Sequence, residues 1–182
     1  MSSSLLETER LVLRPVRRED FPVIVALMGD YDVVKNLSSA PHPYTFEDAE
    51  AFFIKQGESH WRGEAHVFAV IRKSDGAFLG KNGLHMKDGL FEMGYWLGKP
   101  YWGQGFATEA ARRVAQFAFG KLQVERIGAG WFEGNDASGN VLAKLGFVPS
   151  AVEQRDCQAR GHKASCNVMV LTSESFAIKD AA

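Results

Sequence analysis

Residues 91–110 read FEMGYWLGKPYWGQGFATEA. The first seven, apart from Glu92, are apolar, aromatic or glycine with the look of a strand, and the stretch runs on into RRVAQFAF (112–119), where apolar residues recur at helical spacing. Gly103 and Gly105 stand one residue apart at this strand-to-helix junction. A helix N-terminus presents backbone N–H groups without an intrahelical acceptor, together with the positive end of the helix dipole. The junction therefore suits an anion, and the two glycines would clear side chains from its approach.

Working outward from the junction, the elements fall into a mixed order. RLVLRPV begins with a strand over Leu11–Leu13 that Pro15 ends, and Glu19 and Asp20 open a short helix with Pro22 in its first turn. Residues 31–45, with two prolines, read as a loop, and Thr45 with Asp48 forms a capping-box pattern ahead of a second helix reaching Trp61. HVFAVIRK, AFLGKNGLHM and GLFEMGYWL are three strands, the last two joined by the hairpin pair Asp88-Gly89. They read as an antiparallel meander. After the glycine loop, Ala107, Ala110, Ala111, Val114, Ala115, Phe117 and Ala118 make one closely packable helix face, with Gly120 as its stop. VERIGAGWF follows as a strand, and the helical connection makes it a parallel neighbour of the strand before. NDASGNVLAKL is a short helix, and GFVPSAV and ASCNVMVL are two final strands. The expected fold class is α/β (α+β): one domain over residues 1–182, a mixed, mainly antiparallel sheet with helices on both faces.

Composition narrows the function. The 182 residues are 46% hydrophobic with a formal net charge of −1, so no basic field points to DNA. No apolar run approaches the ~20 residues that span a bilayer, and Glu7, Glu9 and Arg10 stand where a secretory leader would be apolar. A cytoplasmic protein is expected. Cys157 and Cys166 are too few for a disulfide framework, and with His162 they supply only three zinc ligands without a Cys-x-x-Cys pair, so no metal is expected. The Gly-Lys pairs are followed by Asn82, Pro100 and Leu122 rather than Ser or Thr, which excludes a Walker loop, and Thr108 stands where a dinucleotide fingerprint needs its third glycine. A ligand-free glycine turn remains the plain alternative. A coenzyme A diphosphate, held by backbone N–H groups without lysine or metal, fits the loop.

YWLGKPYWGQGFATEA resembles the acetyl-coenzyme A loop of the GNAT N-acetyltransferases, and most nearly the branch of the ribosomal-protein N-terminal acetyltransferases (RimJ/RimL-like). ETERLVLRPVRRED, APHPYTFEDAEAF and ERIGAGWFEGNDASGNVLAKLGF resemble further segments of that branch in its order, so the likeness covers almost the whole chain. It implies a sheet of about seven strands, splayed open between the strand ending at Leu97 and the one ending near Phe132 (the GNAT acyl-CoA N-acyltransferase fold). The coenzyme's pantetheine arm would pair with the backbone of Tyr95, Trp96 and Leu97. Its pyrophosphate would meet Gly103, Gln104, Gly105, Phe106, Ala107 and Thr108, with Asn135, Ser138 and Lys144 near the coenzyme on the other lip. Two departures stand out: Trp102 where many members have Arg or Gln, and Leu142 where many carry a proton-donating Tyr.

The resemblance also implies a carboxylate base on the strand before the loop. Glu92 has that place and shares a strand face with Gly94 and Trp96. Without the family it reads as an exposed, solvated glutamate. Ser138 is a candidate water holder or proton relay, or else a helix-start hydroxyl. His85 is the histidine nearest the expected site. The expected activity is acetyl transfer from acetyl-CoA to a primary amine by direct attack. A protein N-terminus is favoured because an α-amine titrates at ~7.7–8.0, whereas a lysine at ~10.4 demands more of a base. A small-molecule amine acetyltransferase of aminoglycoside or polyamine type, and a coenzyme-binding sensor without turnover, stay open, as does a homodimer. The acceptor groove is expected between residues 31–45 and 150–165.

Overall fold

The computed structural model describes residues 5–180. Eight strands, β1 (Leu6–Glu7), β2 (Leu11–Pro15), β3 (Ala65–Arg72), β4 (Phe78–Lys87), β5 (Leu90–Leu97), β6 (Arg126–Phe132), β7 (Val148–Cys157) and β8 (His162–Thr172), form one sheet in the order β1-β2-β3-β4-β5-β6-β8-β7. All neighbours are antiparallel except β5 and β6. The helices are α1 (Phe21–Met28), α2 (Tyr31–Val34), α3 (Phe46–Trp61), α4 (Phe106–Gly120), α5 (Asp136–Leu145) and α6 (Ser173–Asp180). The open, mostly antiparallel sheet with helices on both faces is the expected class.

The differences from the sequence reading are local. The sheet has eight strands rather than about seven, because the two-residue β1 pairs through Leu6 with Leu13. Residues 31–45 are not all loop: the Asp30 carboxylate accepts the Asp32 N–H at 2.9 Å and caps the single turn of α2. β7 continues to Cys157 and β8 starts at His162, making a longer terminal hairpin. α6 was not read from the sequence.

Two clusters sandwich the sheet. On one face, Phe106, Ala110, Ala111, Val114, Ala115, Phe117 and Ala118 of α4 pack with Leu142 and Leu145 of α5 against Leu84, Met93, Leu97, Ile127 and Ala129. Alanine at four of those α4 positions lets the helix backbone sit close to the strands. On the other, Phe21, Ile24 and Met28 of α1 and Ala49 of α3 pack against Ala69 and Phe78. The Thr45–Asp48 capping box starts α3 as its sequence signals. Burial of a Leu or Phe side chain contributes roughly 1.5–3 kcal/mol, so these two layers hold β4 and β5 rigidly beneath whatever lies above them.

Candidate active site

The parallel pair β5–β6 is joined at only two positions, Glu92 with Gly128 and Met93 with Ala129. Beyond them β5 stays bound to β4 as far as Leu97–Gly80, and β6 stays bound to β8 as far as Phe132–Cys166. The edges of Gly94–Leu97 and Gly130–Phe132 therefore face each other across a wedge. A backbone edge of this kind is a template for an extended ligand.

The glycine loop closes the wide end. Gly103 and Gly105 have φ of 73° and 80°, the left-handed region in which a side chain is strained. Gly105 is the N-cap of α4, and the first N–H to close within the helix is that of Glu109, onto the Gly105 carbonyl at 3.1 Å. The N–H groups of Phe106, Ala107 and Thr108 precede that closure and are the helix's free donors. Glu109 would put a carboxylate in this first turn, but Arg10 takes it at 2.6–2.7 Å and also donates to the Gln104 carbonyl at 3.1 Å. Through Arg10 the bend between β1 and β2 thus braces the loop and neutralises Glu109. Trp102, at the family's Arg or Gln position, donates its indole N–H to the Leu97 carbonyl at 2.7 Å and ties the loop to the end of β5.

The opposite lip is α5. Asn135 is its N-cap and makes no side-chain cap hydrogen bond, which leaves its amide free for a ligand. The Tyr95 hydroxyl crosses the wedge to the Ser138 carbonyl at 3.0 Å and the Ser138 Oγ at 2.9 Å. Burial, partly offset by the Ser138 hydrogen bond, pushes the Tyr95 phenol up to about 12, so it stays protonated at neutral pH. Lys144 is exposed in the last turn of α5, six residues on from Ser138, or ~9 Å along the helix.

At the narrow end, Arg155 from β7 forms a bidentate pair with Glu92, Nη1 to Oε1 at 2.7 Å and Nη2 to Oε2 at 2.9 Å, and also donates to Glu153 at 2.9 Å. The guanidinium passes over Gly130, where a Cβ would lie 2.9 Å from Nη1 and 2.8 Å from Cys166 Sγ. The second glycine of RIGAGWF is there to let this side chain through. Above the pair opens a cleft of about 680 Å³, walled by residues 36–41 and Tyr44, by α3 through Asp48, Phe52, Lys55, Gln56 and Ser59, and by Lys81, His85, Trp96 and Ser138.

Residues 10–148 match the acetyltransferase (GNAT) domain. The chain belongs to the GNAT acetyltransferase family. It is 29% identical over 175 residues to the uncharacterized N-acetyltransferase p20 of Bacillus licheniformis, covering 94% of this chain and 98% of that one. Among solved structures, Mycobacterium smegmatis RimJ in complex with CoA-disulfide superposes with a TM-score of 0.81 at 20% identity, over 96% of this chain and 88% of that one. RimL, a ribosomal L7/L12 alpha-N-protein acetyltransferase in complex with coenzyme A, gives 0.82 at 15%, over 94% and 99%. The protein is thus an N-acetyltransferase of the fold to which RimJ and RimL also belong, and the GNAT fold uses acetyl-CoA.

In this GNAT acetyltransferase the residues singled out from sequence gather around one wedge. Tyr95, Trp96 and Leu97 form one edge, Gly103 to Thr108 its end, and Asn135 and Ser138 the far lip. Glu92 sits at the narrow end. Leu142 is fully buried among Val114 and Leu145 and has no access to the cleft. Leu142→Tyr is therefore expected to overpack the core by about 1–3 kcal/mol in chemical denaturation and to leave the acetylation rate no higher. A gain in rate would place residue 142 in the site. The sequence reading missed the cleft wall made by Phe52, Lys55 and Gln56 of α3, and by Lys81. A signal existed: Lys81 and Asn82 stand in the middle of a central strand, and both are buried.

Proposed function

We propose that the chain acetylates a primary α-amino group, in the first instance a protein N-terminus, at the expense of acetyl-CoA. The observation that carries this is the coincidence of the two-residue β5–β6 pairing with the glycine-capped start of α4. One element offers an unpaired strand edge, the other free N–H groups, as a pantetheine diphosphate requires. The backbone of Tyr95, Trp96 and Leu97 would hold the arm. Gly103, Gln104, Gly105, Phe106, Ala107 and Thr108 would hold the pyrophosphate, with Asn135 and Lys144 on the other side. Bound acetyl-CoA supplies the activated acyl group.

The chain's own residues then have the following roles. Glu92 accepts the proton of the attacking amine through a water, because Arg155 occupies both its oxygens. Ser138, positioned by Tyr95, offers a hydroxyl to the departing sulfur. An α-amine is appreciably neutral near pH 8, so a base working through water suffices, whereas a lysine side chain would need more.

Two measurements test this. Acetyl-CoA alone should raise Tm, since only the folded chain has the wedge, and thiol release should then be fastest with peptides bearing free α-amines. Faster turnover of polyamines or aminoglycosides would favour a small-molecule enzyme. A coenzyme-dependent Tm shift with no thiol release from any amine would favour a sensor.

A further inference from the structure

The acceptor half of the cleft contains a buried amine without an anionic partner among the described residues. Lys81 is only 6% exposed, lines the cleft, and makes no hydrogen bond or ion pair among the described residues. Its ammonium lies 4.0 Å from the centroid of Phe52 and 6.0 Å from that of Trp96. On the same cleft lining, the Gln56 side-chain nitrogen is buried and has no acceptor. His85 lies four residues further along the same strand face. Lys55 also lines this wall.

Asp20 and the carboxylates that line the cleft already have partners. Asp20, whose charge is felt at Lys81, is taken by Arg14 at 2.7 and 2.8 Å. Asp48 is committed to the Thr45 cap, Glu64 to Arg62 at 2.7 Å, and Glu92 to Arg155. Burying a charged amine without a counter-ion is costly, and loss of its proton relieves part of that cost. Lys81 and the Gln56 side-chain nitrogen thus line the same cleft, and among the described residues neither has an acceptor.

We propose that this wall binds an anionic group of the acceptor, so that the preferred substrate is a primary α-amine carrying a carboxylate close to the reacting nitrogen. The inference rests on the acetyltransferase reading of the cleft given above. Lys81 is opposite Trp96 in the β4–β5 register, two residues from Gly94, where the wedge begins. That is ~7 Å along the strand, the scale of a single residue. The group fits a carboxylate on the first or second residue of a peptide, or the carboxylates of a free acidic amino acid. Burial lowers the Lys81 amine to about 7, with Asp20 opposing the shift. Around neutral pH the unliganded amine is therefore partly deprotonated. A carboxylate placed against the amine favours its charged form, so the amine takes up a proton on binding, and this contribution to affinity weakens as pH rises above about 7.

Two acceptor pairs distinguish the sources of the carboxylate: Ser-Glu-Ala-Ala against Ser-Gln-Ala-Ala, and free glutamate against free glutamine. The wild type should favour the acidic member of at least one pair about tenfold or more in kcat/KM. Lys81→Met should abolish the preference and raise Tm. Lys81→Arg should retain the preference. Binding is measured separately, by calorimetry with CoA present, in two buffers of different ionisation enthalpy. Proton uptake with the acidic member should occur in the wild type and vanish in Lys81→Met. Equal handling of both pairs by the wild type, or a preference that survives Lys81→Met, overturns the proposal. Discrimination in binding without turnover of any amine would leave the anion site standing and remove the enzyme reading instead.

Discussion

Gly105→Val is expected to weaken acetyl-CoA binding about 100-fold, measured by calorimetry, while lowering stability by only ~1–2 kcal/mol. At φ of 80°, Gly105 holds a conformation that a β-branched residue adopts only under strain. A valine would be relieved by rotating the peptide units at the start of α4. The N–H groups of Phe106, Ala107 and Thr108 then no longer converge on one point, and charge-assisted hydrogen bonds of ~1.5–3 kcal/mol each are lost. Space within the protein is not the difficulty, since a Cβ at Gly105 would meet only Arg10 Nη2, at 3.4 Å. Gly103→Ala is the comparison: φ is 73° but nothing lies within 4 Å of its Cβ. It should cost a similar strain and less affinity. If Gly105→Val loses stability but keeps coenzyme affinity within about threefold, the glycine serves the turn alone.

Local chemistry made much of this architecture readable in the sequence. The capping box at Thr45, the Asp88-Gly89 hairpin and the alanine face of α4 are short-range signals, and each element forms where its signal lies. The wedge was available only through family resemblance, because no local pattern says that a parallel pair will stop after two registers. Other features depend on residues far apart in the chain. The Arg155–Glu92 pair joins positions 63 residues apart, and the Tyr95–Ser138 contact joins positions 43 apart. Neither leaves a mark in spacing. Gly130 came closest to a legible trace, since a glycine in a central strand signals close approach by something. Lys81 was visible as an oddity, but its meaning required knowing that Asp20, Asp48, Glu64 and Glu92 were all engaged.

Glu92→Gln is expected to lower kcat/KM for an α-amine acceptor about 100-fold near pH 7, the lower end of the range for loss of a general base. The KM for acetyl-CoA should change little, because the carboxylate lies at the narrow end of the wedge, away from the glycine loop. The interpretation turns on Arg155. Its side chain is 13% exposed, and Glu92→Gln removes one of its two carboxylate partners while Glu153 remains at 2.9 Å. A rate loss alone could thus report a disturbed clamp rather than a missing base. Arg155→Met separates the two, since it removes the clamp and leaves the carboxylate. If Glu92 takes the amine's proton, the Glu92→Gln deficit should shrink as pH rises past the acceptor's pKa, where solvent supplies neutral amine, and Arg155→Met should show a smaller deficit independent of pH. If Glu92 only anchors Arg155, both variants should lose rate equally with flat pH profiles. A Glu92→Gln enzyme with an unchanged rate at neutral pH would move the base to His85. Glu92 faces that residue in the β4–β5 register, and its imidazole is held below its usual range by burial and by Lys81, hence neutral and able to accept a proton.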